Sequence, residues 1–200
     1  MHWPSSRQPA GRRMYDHSTW PLPLMTPIAR MNLAAIAGPP HSGARFSRCG
    51  KYRPILWRIW SDGPLFGACY LNPSKAGATF EESDPTVSRT IARARAAGYA
   101  GLLLANACDL ISTDPAGLYA ARRKHSAECD QAILEVATRS AVFVCGWGQH
   151  LEKAIPGRGA RILAMIRRAG VVPHAFKLNS DGSPCHPLYL PYALRPVPMP

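Results

Sequence analysis

The chain has 200 residues, of which 46% are hydrophobic and 18% charged, and its 24 basic and 12 acidic side chains give a formal net charge of +12. This composition excludes a wholly disordered chain, and no uncharged apolar run approaches the roughly 20 residues of a membrane-spanning helix. The length suits one domain with an extension, and the basic balance favours polyanions, so we expect DNA, RNA or a nucleotide as partner and no membrane.

The six cysteines are scattered along the chain and form no Cys-x-x-Cys pair. Because metal sites of the zinc type need such spacing, we expect no metal and no cofactor. The start of the chain lacks the ordered regions of a signal peptide, so reduced thiols in a cytoplasmic protein are the expectation.

Residues 1–47 contain seven prolines and show neither helical nor strand periodicity. They are predicted to form a disordered, basic extension. A start at a later methionine, such as Met14, Met25 or Met31, is an alternative explanation of this segment. A single α/β domain is predicted over residues 48–195, followed by a tail over 196–200.

Hydrophobic patterning begins after Tyr52. Alternating apolar residues over 55–60, turn residues over 61–64 and an apolar run over 65–71 together predict an N-terminal β-hairpin. A helix is predicted to follow, because Asp84 can cap it, Pro85 suits its first position and Gly98 lies just past its end.

Strands and helices then alternate. Apolar runs over 101–106, 141–146 and 171–178 predict strands that are buried on both faces, and helical spacing predicts helices over 126–139 and 159–169. This order predicts an α/β fold with a parallel sheet between two helix layers. In such sheets ligands bind beyond the carboxyl ends of the strands.

Polar and aromatic residues follow each predicted strand. Asn72 and Ser74 follow the first core strand, Asn106 the next, Trp147 the third and His186 the last. An amide can read the edge of a base or orient water, a histidine can donate to an anion, and an indole offers a flat apolar surface. Together they indicate a site for a planar heterocycle, whereas Asx turns and core packing explain each residue taken singly.

Other side chains have two interpretations each. Asp84 is a helix cap or a catalytic acid beside Asn72, and Arg89 is a substrate-phosphate contact or part of a solvated helix face. The basic run 122–125 is a nucleic-acid contact or a patch that serves solubility. Tyr189 is a further candidate for substrate binding.

Six short motifs resemble, in order, domain-of-unknown-function family 1643 (DUF1643). The resemblance extends from about Phe46 to Pro191 and supplies no reaction. The motifs are Phe46-Ser47-Arg48-Cys49-Gly50-Lys51-Tyr52-Arg53, Leu71-Asn72-Pro73-Ser74, Asp84-Pro85-Thr86, Thr113-Asp114-Pro115, Trp147-Gly148 and His186-Pro187-Leu188-Tyr189-Leu190.

Three segments also resemble, more distantly, the uracil-DNA glycosylase superfamily. They are Leu71-Asn72-Pro73-Ser74, Leu104-Ala105-Asn106 and Cys185-His186-Pro187-Leu188. The resemblance implies a uracil-DNA glycosylase-like fold and metal-independent hydrolysis of an N-glycosidic bond on an extruded base. It implies that Asn72 positions the attacking water, Asn106 bonds the base edge and His186 stabilises the departing base anion. Tyr70 stands where that superfamily has glycine.

Three classes of function stay open at this point. The first is hydrolysis at a nucleobase, and the second is a non-catalytic module that binds nucleic acid or a nucleotide with the same residues. The third is hydrolase or transferase chemistry on a small phosphorylated ligand, held by Ser74, Lys75 and Arg89. Because neither phosphate-loop nor dinucleotide-binding glycine motifs occur, a standard nucleotide-triphosphate site is not predicted.

Overall fold

The computed structural model describes residues 41–74, 77, 79 and 81–200. The strands of this part are β1 His41–Arg45, β2 Ile55–Ile59, β3 Leu65–Tyr70, β4 Gly101–Asn106, β5 Val142–Gly146, β6 Pro173–Ala175 and β7 Val197–Pro198. Its helices are α1 Pro85–Ala96, α2 Pro115–Ala120, α3 Cys129–Thr138, α4 His150–Ala154 and α5 Arg158–Arg168, and a 3₁₀ turn covers Pro187–Tyr189. No helix among these residues is both long and apolar enough to cross a membrane.

The strands form one sheet in the order β1-β2-β4-β3-β5-β6-β7. The central strands β4, β3, β5 and β6 are parallel neighbours, and antiparallel pairs complete both edges. In the register of the sheet, Tyr70 lies beside Asn106 on one side and Gly146 on the other. The carboxyl ends of three central strands therefore meet at one edge. The predicted α/β class and parallel central sheet are confirmed.

Two apolar layers cover the sheet. Phe66, Ala68 and Tyr70 of β3 pack on the face that carries α1, and Cys69 packs with α3 and α5 on the other. Every residue of β3, β4 and β5 is buried, which accounts for their continuous apolar sequences.

The helix predicted after Asp84 is confirmed as α1. The Asp84 side chain accepts a hydrogen bond from the Val87 amide, Pro85 occupies the first turn, and Gly98 follows with a φ of 79°. The other two predicted helices are confirmed as α3 and α5, and the predicted strands 101–106 and 141–146 as β4 and β5.

The predicted β-hairpin is wrong. β2 and β3 do not pair, because β4 lies between them and is antiparallel to β2. β3 is buried on both faces, and β4 and β5 supply parallel neighbours on both of its edges. The turn over 61–64 carries the chain from β2 across β4 into β3, and β2 pairs on its free side with β1.

The sheet extends past both predicted domain boundaries. β1 falls within the segment 1–47 that was predicted to be a disordered extension, and β7 falls within the predicted tail. The sequences of β1 and β7 show no apolar alternation, so pattern alone does not predict them. Backbone pairing with a neighbouring strand holds each of them at an edge of the sheet. Glycine is required at position 43 of β1, because the Cβ of any other residue would lie 2.2 Å from the Trp57 ring and clash with it. The rest of the predicted extension, residues 1–40, lies outside the described residues.

Candidate functional site

A cavity of about 240 Å³ lies at the carboxyl ends of β3 and β4. It brings together five residues that the sequence analysis considered as candidates: Asn72, Ser74, Asp84, Asn106 and His186. The full lining is Arg53, Tyr70, Asn72, Ser74, Asp84, Thr86, Val87, Leu104, Asn106, Ser112, Thr113 and His186.

Asn106 carries an unused donor in the cavity wall. It is the last residue of β4, and the two-residue period of the strand places it on the same face as Leu104. The residue is only 2% exposed, and its Nδ2 has no hydrogen-bond partner among the described residues. Because a buried donor without a partner is costly, such a group is a site at which a ligand acceptor would bind.

Asn72 is held by its amide nitrogen. Its Nδ2 donates to the Pro73 carbonyl at 3.1 Å and to the Ser112 carbonyl at 2.7 Å. The Ser112 amide in turn donates to the Pro73 carbonyl at 3.0 Å, which joins the two loops. Since Nδ2 uses both of its protons in this way, the Oδ1 atom is the acceptor that Asn72 offers to a water or ligand in the cavity.

Asp84 serves both as a helix cap and as part of the cavity. Its Oδ1 accepts the Val87 amide at 2.8 Å, and its Oδ2 accepts the hydroxyl of Ser74. The two interpretations given for Asp84 are therefore geometrically compatible. The bond also fixes Ser74, which leaves the lone pairs of its hydroxyl oxygen to accept a further donor.

His186 enters the cavity as a neutral donor. Its Nδ1 accepts the Leu188 amide at 3.4 Å, which assigns the ring proton to Nε2. Burial lowers the pKa of His186 below its ordinary value of 6.5, and the nearby charge of Asp84 opposes that shift in part. The ring lies 5.7 Å from that of Tyr70, centroid to centroid. At neutral pH the imidazole can thus donate from Nε2 without carrying a charge.

Two arginines of α1 hold the segment that carries His186. Arg93, which is almost fully buried, donates to the carbonyls of Leu190 at 2.6 Å and Pro191 at 2.9 Å. Arg89 donates to the Leu190 carbonyl at 2.9 Å, and its guanidinium lies 4.2 Å from the centroid of the Tyr192 ring. Arg89, predicted to contact a substrate phosphate, is placed by the structure against the C-terminal segment.

Trp147 and Tyr189 lie outside the cavity lining. Trp147 is 3% exposed and packs in the core on the other face of the sheet, beneath Gly159 of α5. Tyr189 is 83% exposed on the 3₁₀ turn, with its ring centroid 6.3 Å from that of His186. The structure therefore places Tyr189 next to the cavity and Trp147 away from it.

Arg53 is a charged residue of the cavity lining that the sequence analysis missed. Its side chain is 1% exposed and lines the cavity, and burial lowers its pKa to about 10, with Asp84 opposing the shift. The guanidinium therefore stays charged at neutral pH. A signal was present, since Arg53 is the last residue of the first of the six family motifs and stands two residues before β2.

Tyr70 forms part of the cavity wall. Its hydroxyl is 2.9 Å from the Thr90 hydroxyl, and burial raises its pKa. The phenol thus stays protonated and supplies a flat apolar wall. Across the described residues, no group of three or more His, Cys, Asp or Glu side chains is arranged to hold a metal ion. The lining offers hydrogen-bond donors and acceptors, one cation and one carboxylate.

Comparisons with known proteins give one result. Searches of curated proteins and of solved structures return no match. The profile of the family described as "Protein of unknown function (DUF1643)" matches residues 53–188, a range that contains every residue of the cavity lining. The match covers more than half of the chain and confirms the resemblance noted from the motifs. The chain belongs to the DUF1643 family.

Proposed function

We propose that the cavity binds a nucleobase and that the protein hydrolyses the bond between that base and its sugar, with a uracil-DNA glycosylase-like arrangement of the site. The observation that carries the proposal is the buried Nδ2 of Asn106, which has no hydrogen-bond partner among the described residues and lies in a cavity that also contains the neutral His186. A cavity of about 240 Å³ is smaller than the roughly 300–1,000 Å³ of sites for drug-sized ligands, so its size suits a base better than a whole nucleotide.

The amide of Asn106 suits a base edge that carries a donor next to an acceptor, because it offers one acceptor and one donor side by side. In one orientation it matches the carbonyl next to a ring N–H of uracil, thymine, guanine and hypoxanthine. Turned by about 180°, it matches the amino group next to a ring nitrogen of adenine and cytosine. We propose the first class, and the test below compares it with the second. Tyr70 supplies a flat wall against which a base can pack.

The reaction balances with the residues of the cavity. Water, held by Oδ1 of Asn72, attacks the anomeric carbon of the sugar and loses a proton to the Asp84 carboxylate. The C–N bond breaks, and its electron pair leaves on the base, whose charge is stabilised by Nε2–H of His186 and by the Arg53 cation. The base anion then takes up a proton, so that the products are the free base and a sugar with a new hydroxyl.

The test uses oligonucleotides and free nucleosides that contain uracil, hypoxanthine, cytosine or adenine. We expect base release from the first two, and its loss in Asn72→Ala and His186→Asn. His174→Asn is the matched control, because His174 lies in β6 outside the cavity lining and the change is the same. Release that persists in the two cavity variants, or binding with no product from any substrate, would overturn the proposal and favour the non-catalytic module.

A further inference from the structure

A second groove, of about 400 Å³, is lined on one side by a run of basic residues. Its lining consists of Arg122, Arg123, Lys124, His125, Ser126, Ala127, Ala154, Ile155 and Pro156. No carboxylate is part of that lining, and none of its side chains belongs to an ion pair between described residues. The positive charge of the groove is therefore left to attract an anion from solution.

The basic loop is held in one shape. The buried carboxylate of Asp109 accepts the Ser126 amide at 2.7 Å and its hydroxyl at 2.5 Å. The Tyr52 hydroxyl donates to the Arg123 carbonyl at 3.3 Å, and the Lys124 ammonium donates to the Ala121 carbonyl at 2.8 Å. Binding of a ligand would thus lose little conformational entropy in this loop.

One residue, Asp109, links a residue of the cavity lining to a residue of the groove lining by hydrogen bonds. Asp109 follows Asn106 by three positions, and its carbonyl accepts the amide of Arg53 at 2.8 Å. Asn106 and Arg53 line the cavity, whereas the Asp109 carboxylate anchors the loop of the groove. The two sites are thus connected through the segment that follows β4.

We propose that the groove binds the phosphate backbone of a nucleic-acid strand whose extruded base occupies the cavity. This inference rests on the proposed function and deepens it, because it makes the substrate an oligonucleotide rather than a free nucleoside. A base fills the small cavity, so the sugar and the flanking phosphates of its strand lie outside. Consecutive cations suit the repeated charges of a strand, and the forked guanidinium groups of Arg122 and Arg123 suit phosphate oxygens.

The test measures binding of a short, fluorescently labelled single strand that contains only adenine and cytosine, so that no base is released. The variant is Arg122→Ala/Arg123→Ala, in which both side chains are exposed. The control is Arg167→Ala/Arg168→Ala in the last turn of α5, which removes the same charge elsewhere. Losing two phosphate contacts is expected to weaken binding by about tenfold at moderate salt and to lower the salt slope by about 1.4. The control pair is expected to change both quantities much less.

The outcomes separate this inference from the proposed function. Two outcomes would overturn the proposed role of the groove even if base release from nucleosides is observed. One is an equal loss of affinity for the strand in the two double variants, and the other is no binding of the strand by the wild type. Displacement of the strand by inorganic phosphate at equal concentration would also overturn it, in favour of a small-anion site. Selective, salt-dependent loss in Arg122→Ala/Arg123→Ala would support the groove even if no substrate is hydrolysed.

Discussion

Replacing Asn106 with leucine is expected to stabilise the protein and to remove the proposed binding of a base. The side chain is buried, and its Nδ2 has no partner among the described residues. A buried donor left unsatisfied costs about 1–3 kcal/mol. Leucine branches at the same carbon and has a similar size, so it removes the polar group and keeps the volume filled. The free energy of unfolding is therefore expected to rise by up to this amount, and Tm by about 2–4 °C for each kcal/mol.

The same substitution at Asn72 should have the opposite effect on stability. Leucine there removes the hydrogen bonds from Nδ2 to the carbonyls of Pro73 and Ser112. With a net contribution of about 0.5–1.5 kcal/mol for each bond, the free energy of unfolding is expected to fall by about 1–3 kcal/mol. Asn72→Leu is thus a matched control for Asn106→Leu, with an identical chemical change in the same cavity.

Urea unfolding, followed by tryptophan fluorescence, measures both variants. A change in the midpoint with an unchanged m value reports stability alone. Both variants should lose the proposed base release. Only in Asn106→Leu should this loss be accompanied by an increase in stability. If Asn106→Leu lowers stability as much as Asn72→Leu, the Asn106 amide is already satisfied in solution, and the argument that it awaits a ligand acceptor is refuted.

Three further predictions test how the site and the sheet edge are built. Arg93→Met removes a buried cation that donates to carbonyls of the segment after His186. The free energy of unfolding should therefore fall by about 3 kcal/mol or more, and the NMR signals of His186 should shift. A change in the free energy of unfolding below about 1 kcal/mol would contradict this. His186 should titrate by NMR below pH 6.5, because burial disfavours its charged form; its contribution to stability is present above pH 6.5 and is lost as the pH falls through the lowered pKa, and a midpoint at or above 6.5 would contradict this. Gly43→Ala should destabilise the protein by about 1–3 kcal/mol in urea unfolding, because the new Cβ meets the Trp57 ring, and unchanged stability would show that β1 does not pair as described.

The sequence predicts well what depends on short-range pattern. The continuous apolar runs of β4 and β5 and the capping residues of α1 indicate those elements and nearly their ends. Asn72 follows β3 and Asn106 ends β4, so both lie at the carboxyl ends of parallel strands, where ligands bind in such sheets. His186 reaches the cavity from farther along the chain, because β6 ends at Ala175 and is shorter than the predicted strand 171–178. Which strands pair with each other is harder to predict from short-range pattern. β2 and β3 are neighbours in the sequence, but β4 lies between them in the sheet. Only the burial of β3 on both faces, a property of the folded sheet, decides that arrangement.

Arg53 is not found by a search at the carboxyl ends of parallel strands, because it precedes an antiparallel strand. β2 is antiparallel to β4, so the amino end of β2 meets the carboxyl end of β4 at the same edge of the sheet. A residue shortly before an antiparallel strand therefore reaches the same site as residues at the carboxyl ends of parallel strands. Arg53 and Asn106 are brought together in this way, and they supply the cavity with a cation and an unused amide donor. In mixed sheets, candidate residues should thus be sought before each antiparallel strand as well as after each parallel one.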